Sequence, residues 1–179
     1  MRTLLALSRA IDWTNERLGR LATWMVLLAC LISAGNALLR YGFSLGSNAW
    51  LEIQWYLFAG MVMLGAACTL QKNEHVRVDI LYGRASTRVQ IWIDILGGLL
   101  FLLPATVIMG WLAWPMFHNS WQLNETSANA GGLLRWPVKL LVPAGFLLIS
   151  LQGLSEIIKR VGALTGDCPT PPQYEKPLQ

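Results

Sequence analysis

Residues 21–39, LATWMVLLACLISAGNALL, form a run of nineteen residues without a charge, bounded by Arg20 and Arg40. A helix needs about 20 apolar residues to cross a hydrocarbon core of roughly 30 Å. Because lipid offers the backbone no hydrogen-bond partners, such a segment must satisfy its own peptide groups, as a helix does. The run therefore predicts a membrane-spanning helix.

Three further uncharged runs follow, of nineteen, thirty and sixteen residues: between Glu52 and Lys72, between Asp94 and Glu125, and between Lys139 and Glu156. The last run grows to twenty residues if the long side chain of Lys139 reaches back to the interface. Charged residues make up only 13% of the 179 residues, about half the share in a soluble domain. The sequence thus predicts an all-α integral membrane protein with four spans, at about 21–39, 51–70, 95–117 and 137–159.

The basic residues are unevenly distributed among the segments between the spans. Eleven of the fourteen Lys and Arg residues fall in the N-terminal segment, the loop between the second and third spans, and the C-terminal tail. Since Lys and Arg concentrate on the cytoplasmic side, both termini are predicted inside the cell and the other two loops outside. The net charge of +4 is then an orientation signal, and no nucleic-acid partner is expected.

Tryptophans lie near the predicted span ends, where their rings favour the headgroup level. Core packing within a helix bundle is the alternative role for some of them. The predicted interfacial anchors are Trp50, Trp121 and Trp136 at the outer ends and Trp92 at the inner end.

Residues 1–18 are predicted to form an amphipathic helix lying in the membrane interface, because Leu4, Leu7, Ile11 and Leu18 share one narrow helical face. A frayed polar leader is the alternative. The four-span domain then covers residues 19–162. The tail, 163–179, is rich in proline and is predicted to be a disordered cytoplasmic segment.

The cytoplasmic loop between the second and third spans carries a second amphipathic pattern. If residues 77–93 are helical, Arg77, Arg84 and Arg88 project within about a 40° arc. Such a stripe suits an interfacial helix that faces lipid phosphates or an acidic partner. The alternative is the ordinary surplus of basic residues on the cytoplasmic side.

Residues that carry catalytic or cofactor chemistry are few. His75 and His118 are predicted on opposite sides of the membrane, roughly 30 Å apart, so they cannot ligate one haem. The three cysteines include no CxxC pair, and no phosphate loop, zinc pattern or nucleophile elbow occurs. We therefore predict neither an enzyme nor a cofactor.

Ionisable residues stand only at the edges of the spans, whereas ion-coupled transporters usually place them at membrane depth. This distribution favours a scaffold whose partner carries the transport site. A self-sufficient small homo-oligomeric carrier or channel is the alternative. Within the spans, Asn36, Gln54 and Gln152 are predicted to hydrogen-bond between helices.

Several motifs then occur in a fixed order. The segment NEHVRVD at 73–79 directly follows the second span, and Glu125-Thr126-Ser127 and Trp136-Pro137 precede the fourth. This arrangement resembles the small permease subunit, DctQ type, of tripartite ATP-independent periplasmic (TRAP) transporters, over about residues 10–162. The sequence is most similar to the branch associated with mannitol or chloroaromatic compounds, which also serves organic and oxo acids.

The resemblance implies a subunit of the bacterial inner membrane. It would support a large permease subunit, DctM type, and help dock a periplasmic solute-binding protein for sodium-driven uptake of an organic acid. On this basis Glu52, Glu125 and Ser127 are expected to face the periplasm and help receive the binding protein, unless Glu125 only shapes its loop. The residues expected to contact phospholipids or the large subunit are Arg77, Asp79, Arg84 and Arg88.

Overall fold

The computed structural model describes residues 1–74, 82–83 and 85–169. In this part of the chain the α-helices are α1 (Arg2–Phe43), α2 (Asn48–Gln71), α3 (Thr87–Gly97), α4 (Leu103–Gln122) and α5 (Trp136–Thr165). A π-helical turn, Gly98–Leu102, joins α3 to α4. Residues 87–122 therefore form one continuous rod.

The four predicted spans each lie inside one helical segment. Among the described residues, four segments are long and apolar enough to cross a membrane: α1, α2, the α3–α4 rod and α5. This confirms the predicted number of spans. The segments are longer than predicted; α1 has 42 residues, which gives a rod of about 63 Å, twice the thickness of a hydrocarbon core.

Large apolar side chains cover the outside of the bundle. On α4, Trp111 is 80% exposed and Leu112 is 66% exposed, and Phe101 in the π-helical turn is 74% exposed. A continuous apolar surface of this kind is unfavourable in water but is what lipid solvation requires. The protein is thus a multi-pass membrane protein.

Helix α5 packs against every other helix of the described bundle. It is antiparallel to α1, since the Ser8 hydroxyl lies 2.7 Å from that of Ser155 and Asn15 donates to Gln152 over 2.7 Å. It is also antiparallel to α4, where Ser150 donates to Thr106 over 2.8 Å. Its parallel neighbour is α2, and α1 and α2 form an antiparallel hairpin.

This arrangement brings the start of α1 and the end of α5 to one end of the bundle, which we call the terminal end. The turn at 44–47 and the loop at 123–135 lie at the other, which we call the loop end. The predicted pairing of both termini on one side is consistent with this geometry. Which end faces the cytoplasm remains a prediction.

Close helix contacts depend on residues with small side chains. A Cβ added at Gly145 of α5 would lie 2.9 Å from the carbonyl oxygen of Met63 on α2. A Cβ added at Gly19 of α1 would lie 2.7 Å from the Cβ of Cys68 on α2. Because lipid removes the hydrophobic drive for association between helices, such backbone proximity supplies much of the packing energy.

The N-terminal segment does not form a separate helix, since α1 runs without a break from Arg2 into the first span. Its buried face includes Ile11, as the predicted apolar face does, but also Ser8 and Asn15, while Leu4 and Leu7 are exposed. A pattern of leucines alone did not reveal this, because the polar residues are paired with α5. The predicted interfacial position of residues 1–18 is not tested.

The end of α5 lies three residues beyond the predicted domain boundary at 162. Gly166 then adopts a left-handed conformation, φ 80°, and its N–H bonds the carbonyl of Gly162. A glycine suits this position because it has no Cβ to clash. The tail predicted to be disordered is 163–179; its residues 163–165 are helical and belong to α5, so the prediction is wrong there, and residues 170–179 lie outside the described residues.

We expect Gly145→Ala to lower the thermal unfolding midpoint of the detergent-purified protein, because the added methyl group collides with the backbone of α2. The cost of such overpacking is about 1–3 kcal/mol. Gly35→Ala in α1 is the matched control, since nothing lies within 4 Å of its Cβ position. An equal midpoint for the two variants would contradict the packing described for α2 and α5.

Candidate functional site

Glu52, in the second turn of α2, is the centre of the loop end. Its side chain is buried, with only 5% of the residue exposed, yet it is charged. The carboxylate accepts hydrogen bonds from the Ser127 hydroxyl, from Asn129 Nδ2 at 2.9 Å and from the Leu133 N–H at 2.8 Å. A buried carboxylate is tolerated only with such a full set of donors. Glu52 therefore fixes the loop 123–135 onto α2.

The loop also has its own internal order. The N–H of Ser127 donates to the carbonyl of Leu133 over 2.9 Å, and the N–H of Arg135 donates to that of Glu125 over 2.8 Å. Tyr56 on α2 donates its hydroxyl proton to the carbonyl of Leu134 over 2.9 Å. The segment is thus a compact hairpin-like loop, which we call the loop-end hairpin, residues 123–135.

Glu125 closes the base of the loop-end hairpin. It forms an ion pair with Lys139 in the first turn of α5, and Arg135 Nη1 lies 3.7 Å from its other oxygen. The hydrogen bond from Lys139, aided by the charge of Arg135, holds the pKa of the Glu125 carboxyl below its usual value of 4.5. The ionised form is therefore the one that stabilises the loop.

The three predicted docking residues are brought together by this hairpin, but their surroundings differ. Glu52 and Ser127 are both buried and bond each other, so they present little surface to another protein. Glu125 keeps 31% of its side chain exposed. The exposed apolar side chains beside the hairpin are Trp121, 54% exposed, and Leu123, 79% exposed, which the sequence did not single out for docking.

A second polar cluster lies at the terminal end, between α1 and α5. Gln152 accepts from Asn15 and donates to Asp12 over 2.8 Å, and Ser155 donates to Asp12 over 2.8 Å. Lys159 donates to Asp12 over 3.1 Å and also pairs with Glu156. The predicted role of Gln152 as an interhelical hydrogen-bond former is confirmed. Its partners on α1 were missed, although Ser8, Asp12 and Asn15 recur at helical spacing.

The other predicted interhelical residues behave differently. Among the described residues, the Gln54 Nε2 atom is buried without a hydrogen-bond partner, and no side-chain bond of Asn36 is observed. Gln152 differs from Asn36 and Gln54 because it lies opposite a polar face of α1, which supplies its hydrogen-bond partners.

The predicted cytoplasmic contact residues are only partly visible. Arg77, Asp79 and Arg84 lie outside the described residues, and Arg88 is exposed in the first turn of α3. Nearby, Arg160 Nε of α5 lies 3.2 Å from the carboxylate of Asp94. This ion pair joins α5 to the α3–α4 rod. The proposed contacts of the four loop residues stay predictions.

The predicted tryptophan anchors lie at both ends of the bundle. Trp50 and Trp121, 45% and 54% exposed, are at the loop end, where Trp136 is half-buried at the start of α5. Trp92, 54% exposed, is near the terminal end. Their interfacial role stays a prediction.

Metal-ligating side chains do not gather in the described part of the chain: no three His, Cys, Asp or Glu residues are placed to hold an ion there. The two polar clusters join parts of the fold to one another. One fixes a loop to α2, and the other joins α1 to α5.

Comparison with known families gives a match over most of the chain. Residues 29–163 match the family described as tripartite ATP-independent periplasmic transporters, DctQ component. A protein of Haemophilus influenzae that carries the provisional name TRAP transporter small permease protein is 27% identical over 108 residues, covering 59% of this chain and 67% of the relative. No solved structure matches.

The loop-end hairpin should lose stability in acid because of Glu125. Its folded-state pKa is lowered, so the unfolded chain binds the proton more readily, and the stabilisation is complete above about pH 4.5 and is lost as pH falls through the folded-state pKa. We expect wild type to unfold at a higher temperature than Glu125→Gln at pH 7, and the two midpoints to converge below pH 4.5. Thermal unfolding in detergent across this pH range measures the difference.

Glu74→Gln serves as the control, since Glu74 is an exposed carboxylate at the opposite end of the bundle. Its midpoint should follow that of wild type at every pH. If the gap between wild type and Glu125→Gln stayed constant down to pH 3, the ion pair with Lys139 would not be the source of the stability.

Proposed function

The chain belongs to the DctQ family of tripartite ATP-independent periplasmic transporters, and on this premise we propose that it is a small permease subunit that acts as a fixed scaffold. It supports a large permease subunit in the bacterial inner membrane and helps dock a periplasmic solute-binding protein. The transported solute is an organic acid, taken up with sodium, in line with the branch that the sequence resembles.

The observation that carries the scaffold role is the way polar side chains are used inside the bundle. They bond one another across helix pairs: Asp12 with Gln152 between α1 and α5, and Thr106 with Ser150 between α4 and α5. Bonds of this kind lock helices at fixed positions. A subunit built in this way suits a static support for a moving partner.

The exposed apolar faces supply the surface for that partner. Helix α4 presents Trp111 and Leu112 outward, and α1 presents Leu31 and Leu38, which are 60% and 72% exposed. Either face can pack against the spans of a large subunit or against lipid. The cytoplasmic residues Arg77, Asp79, Arg84 and Arg88 are assigned to the same large subunit or to lipid headgroups.

We place the loop end in the periplasm, in accord with the distribution of basic residues. The binding protein then meets the loop-end hairpin. Glu52 and Ser127 act by holding the hairpin in shape, and Glu125 stands at its edge. Trp121 and Leu123 are the side chains that reach outward and contact the binding protein.

Reconstitution separates this function from that of a self-sufficient carrier or channel. Liposomes that contain this chain with its large permease subunit, together with the binding protein and an inward sodium gradient, should accumulate the organic acid. Liposomes with this chain alone, at the same protein density, should show no uptake above empty liposomes. Sodium-dependent uptake by the chain alone would overturn the scaffold role and favour the self-sufficient carrier.

The docking role is tested by Leu123→Glu, which places a charge on the outermost apolar side chain of the hairpin. We expect the rate of uptake at low binding-protein concentration to fall about tenfold, the loss typical of a central interface residue. Co-purification with the large subunit should not change. Radiolabelled uptake at several binding-protein concentrations measures the effect.

Leu45→Glu is the matched control, because Leu45 is an equally apolar residue, 62% exposed, in the other loop of the same end. It should leave the rate nearly unchanged. The docking site would lie elsewhere if the two variants behaved alike.

A further inference from the structure

The four arginines at the start of the chain lie on one stripe of α1. At 100° per residue, Arg2, Arg9, Arg17 and Arg20 fall within about an 80° arc. Trp13 and Trp24 fall within the same arc. All six side chains are exposed, and α1 is one unbroken helix through this region. We call these six residues the Arg–Trp stripe.

The stripe lies opposite the packed face of the helix. Of the buried residues Ser8, Ile11, Asn15 and Ala22, Ser8 and Asn15 bond α5 and Ala22 lies against Gly65 of α2. The centre of the stripe is about 170° from the centre of that buried face, at 100° per residue. No other helix in the described part of the chain covers it, so the stripe is exposed there.

The level of the stripe relative to the bilayer follows from contacts with α5. Asp12 bonds Lys159, the last residue of the predicted fourth span. The apolar run of α1 begins at Leu21, about 13 Å farther along the helix axis. From these predicted span ends we infer that the headgroup region lies between the two levels, which is where Trp13 and Arg17 are found on α1.

In the part of the chain that the structure describes, one ion pair involves an arginine of the stripe: Arg20 pairs with Glu16 at 3.3 Å, and both side chains are exposed. The guanidinium of Arg17 lies over the ring of Trp13, 4.9 Å from its centre. A cation held on an aromatic face keeps its N–H edges free to meet a phosphate, and planar guanidinium groups bind phosphate oxygens well.

We propose that the Arg–Trp stripe binds anionic phospholipid headgroups of the leaflet at the terminal end. Arg9 and Arg17 contact the phosphates, Trp13 lies among the glycerol and headgroup atoms, and Arg20 reaches back from the edge of the apolar run. The orientation proposed above makes this the cytoplasmic leaflet, but the site itself does not depend on the large subunit or on transport.

An anionic lipid surface fits better than an acidic protein. The stripe is interleaved with tryptophan, which favours the headgroup level, and its central residues lie where α5 places that level. Juxtamembrane arginines attract anionic lipids over a short range, so the position of Arg9 and Arg17 beside the bilayer is what such binding needs.

The test uses the full chain in nanodiscs of pure phosphatidylcholine and in nanodiscs that also contain phosphatidylglycerol. We expect phosphatidylglycerol to raise the Tm of wild type by about 4 °C. The double variant Arg9→Gln with Arg17→Gln should lose at least half of that gain. Inorganic phosphate at the same concentration, added to pure phosphatidylcholine discs, should leave the Tm unchanged.

The control is Arg40→Gln, which removes an exposed arginine from the loop end and keeps the full gain. Equal gains for this control and for the double variant would overturn the proposal. A second outcome would also overturn it: Arg9→Gln with Arg17→Gln keeps the full Tm gain from phosphatidylglycerol but no longer co-purifies with the large subunit. The stripe would then be a protein interface.

A second measurement does not rely on thermal stability. A nitroxide label at position 13, in Trp13→Cys with the three native cysteines replaced by serine, should be shielded from an aqueous nickel chelate. A label at position 3, in Thr3→Cys, should be much more accessible to the chelate. High accessibility at position 13, equal to that at position 3, would place Trp13 in water and overturn the site, even if the arginine variants proved unstable.

Discussion

The whole bundle depends on how α5 is held by its neighbours in a solvent that provides no hydrophobic drive between helices. Lipid solvates Leu and Trp as well as a helix neighbour does, so association requires either close backbone approach or polar bonds. Helix α5 has both. Gly145 lets α2 approach within backbone contact, while Gln152 and Ser155 bond the polar face of α1.

The two ends of the protein follow from the same requirement. At the loop end, Glu52 would be unfavourable next to lipid, and the loop-end hairpin supplies the donors that make its burial tolerable. At the terminal end, Lys159 pairs with both Asp12 and Glu156, so carboxylates and amides can lie between helices. Structural polar groups thus occur at both edges of the span and leave the lipid-facing surface apolar.

These arrangements explain why the residues most easily noticed in the sequence are not those most exposed to a partner. Glu52 and Ser127 are conspicuous in the sequence as polar residues beside a span. In the structure both are buried, and their hydrogen bond holds the loop-end hairpin against α2. The surfaces that remain are apolar on α4 and at the start of the hairpin, and basic along α1. The proposed scaffold role requires surfaces of these kinds, because such a subunit would contact lipid, a membrane partner and a soluble partner at once.

The sequence alone determined the four spans, because the absence of charge over about 20 residues is a local property that lipid selects directly. It also indicated Gln152 as an interhelical residue, since an amide within a span needs a partner. Only the tertiary structure showed that Asn15 and Asp12 are those partners, that Glu52 faces inward, and that α1 continues unbroken to Arg2. The reason is that these features depend on which helix faces lie opposite each other, and residues as distant as 12 and 152 carry no local signal of their proximity.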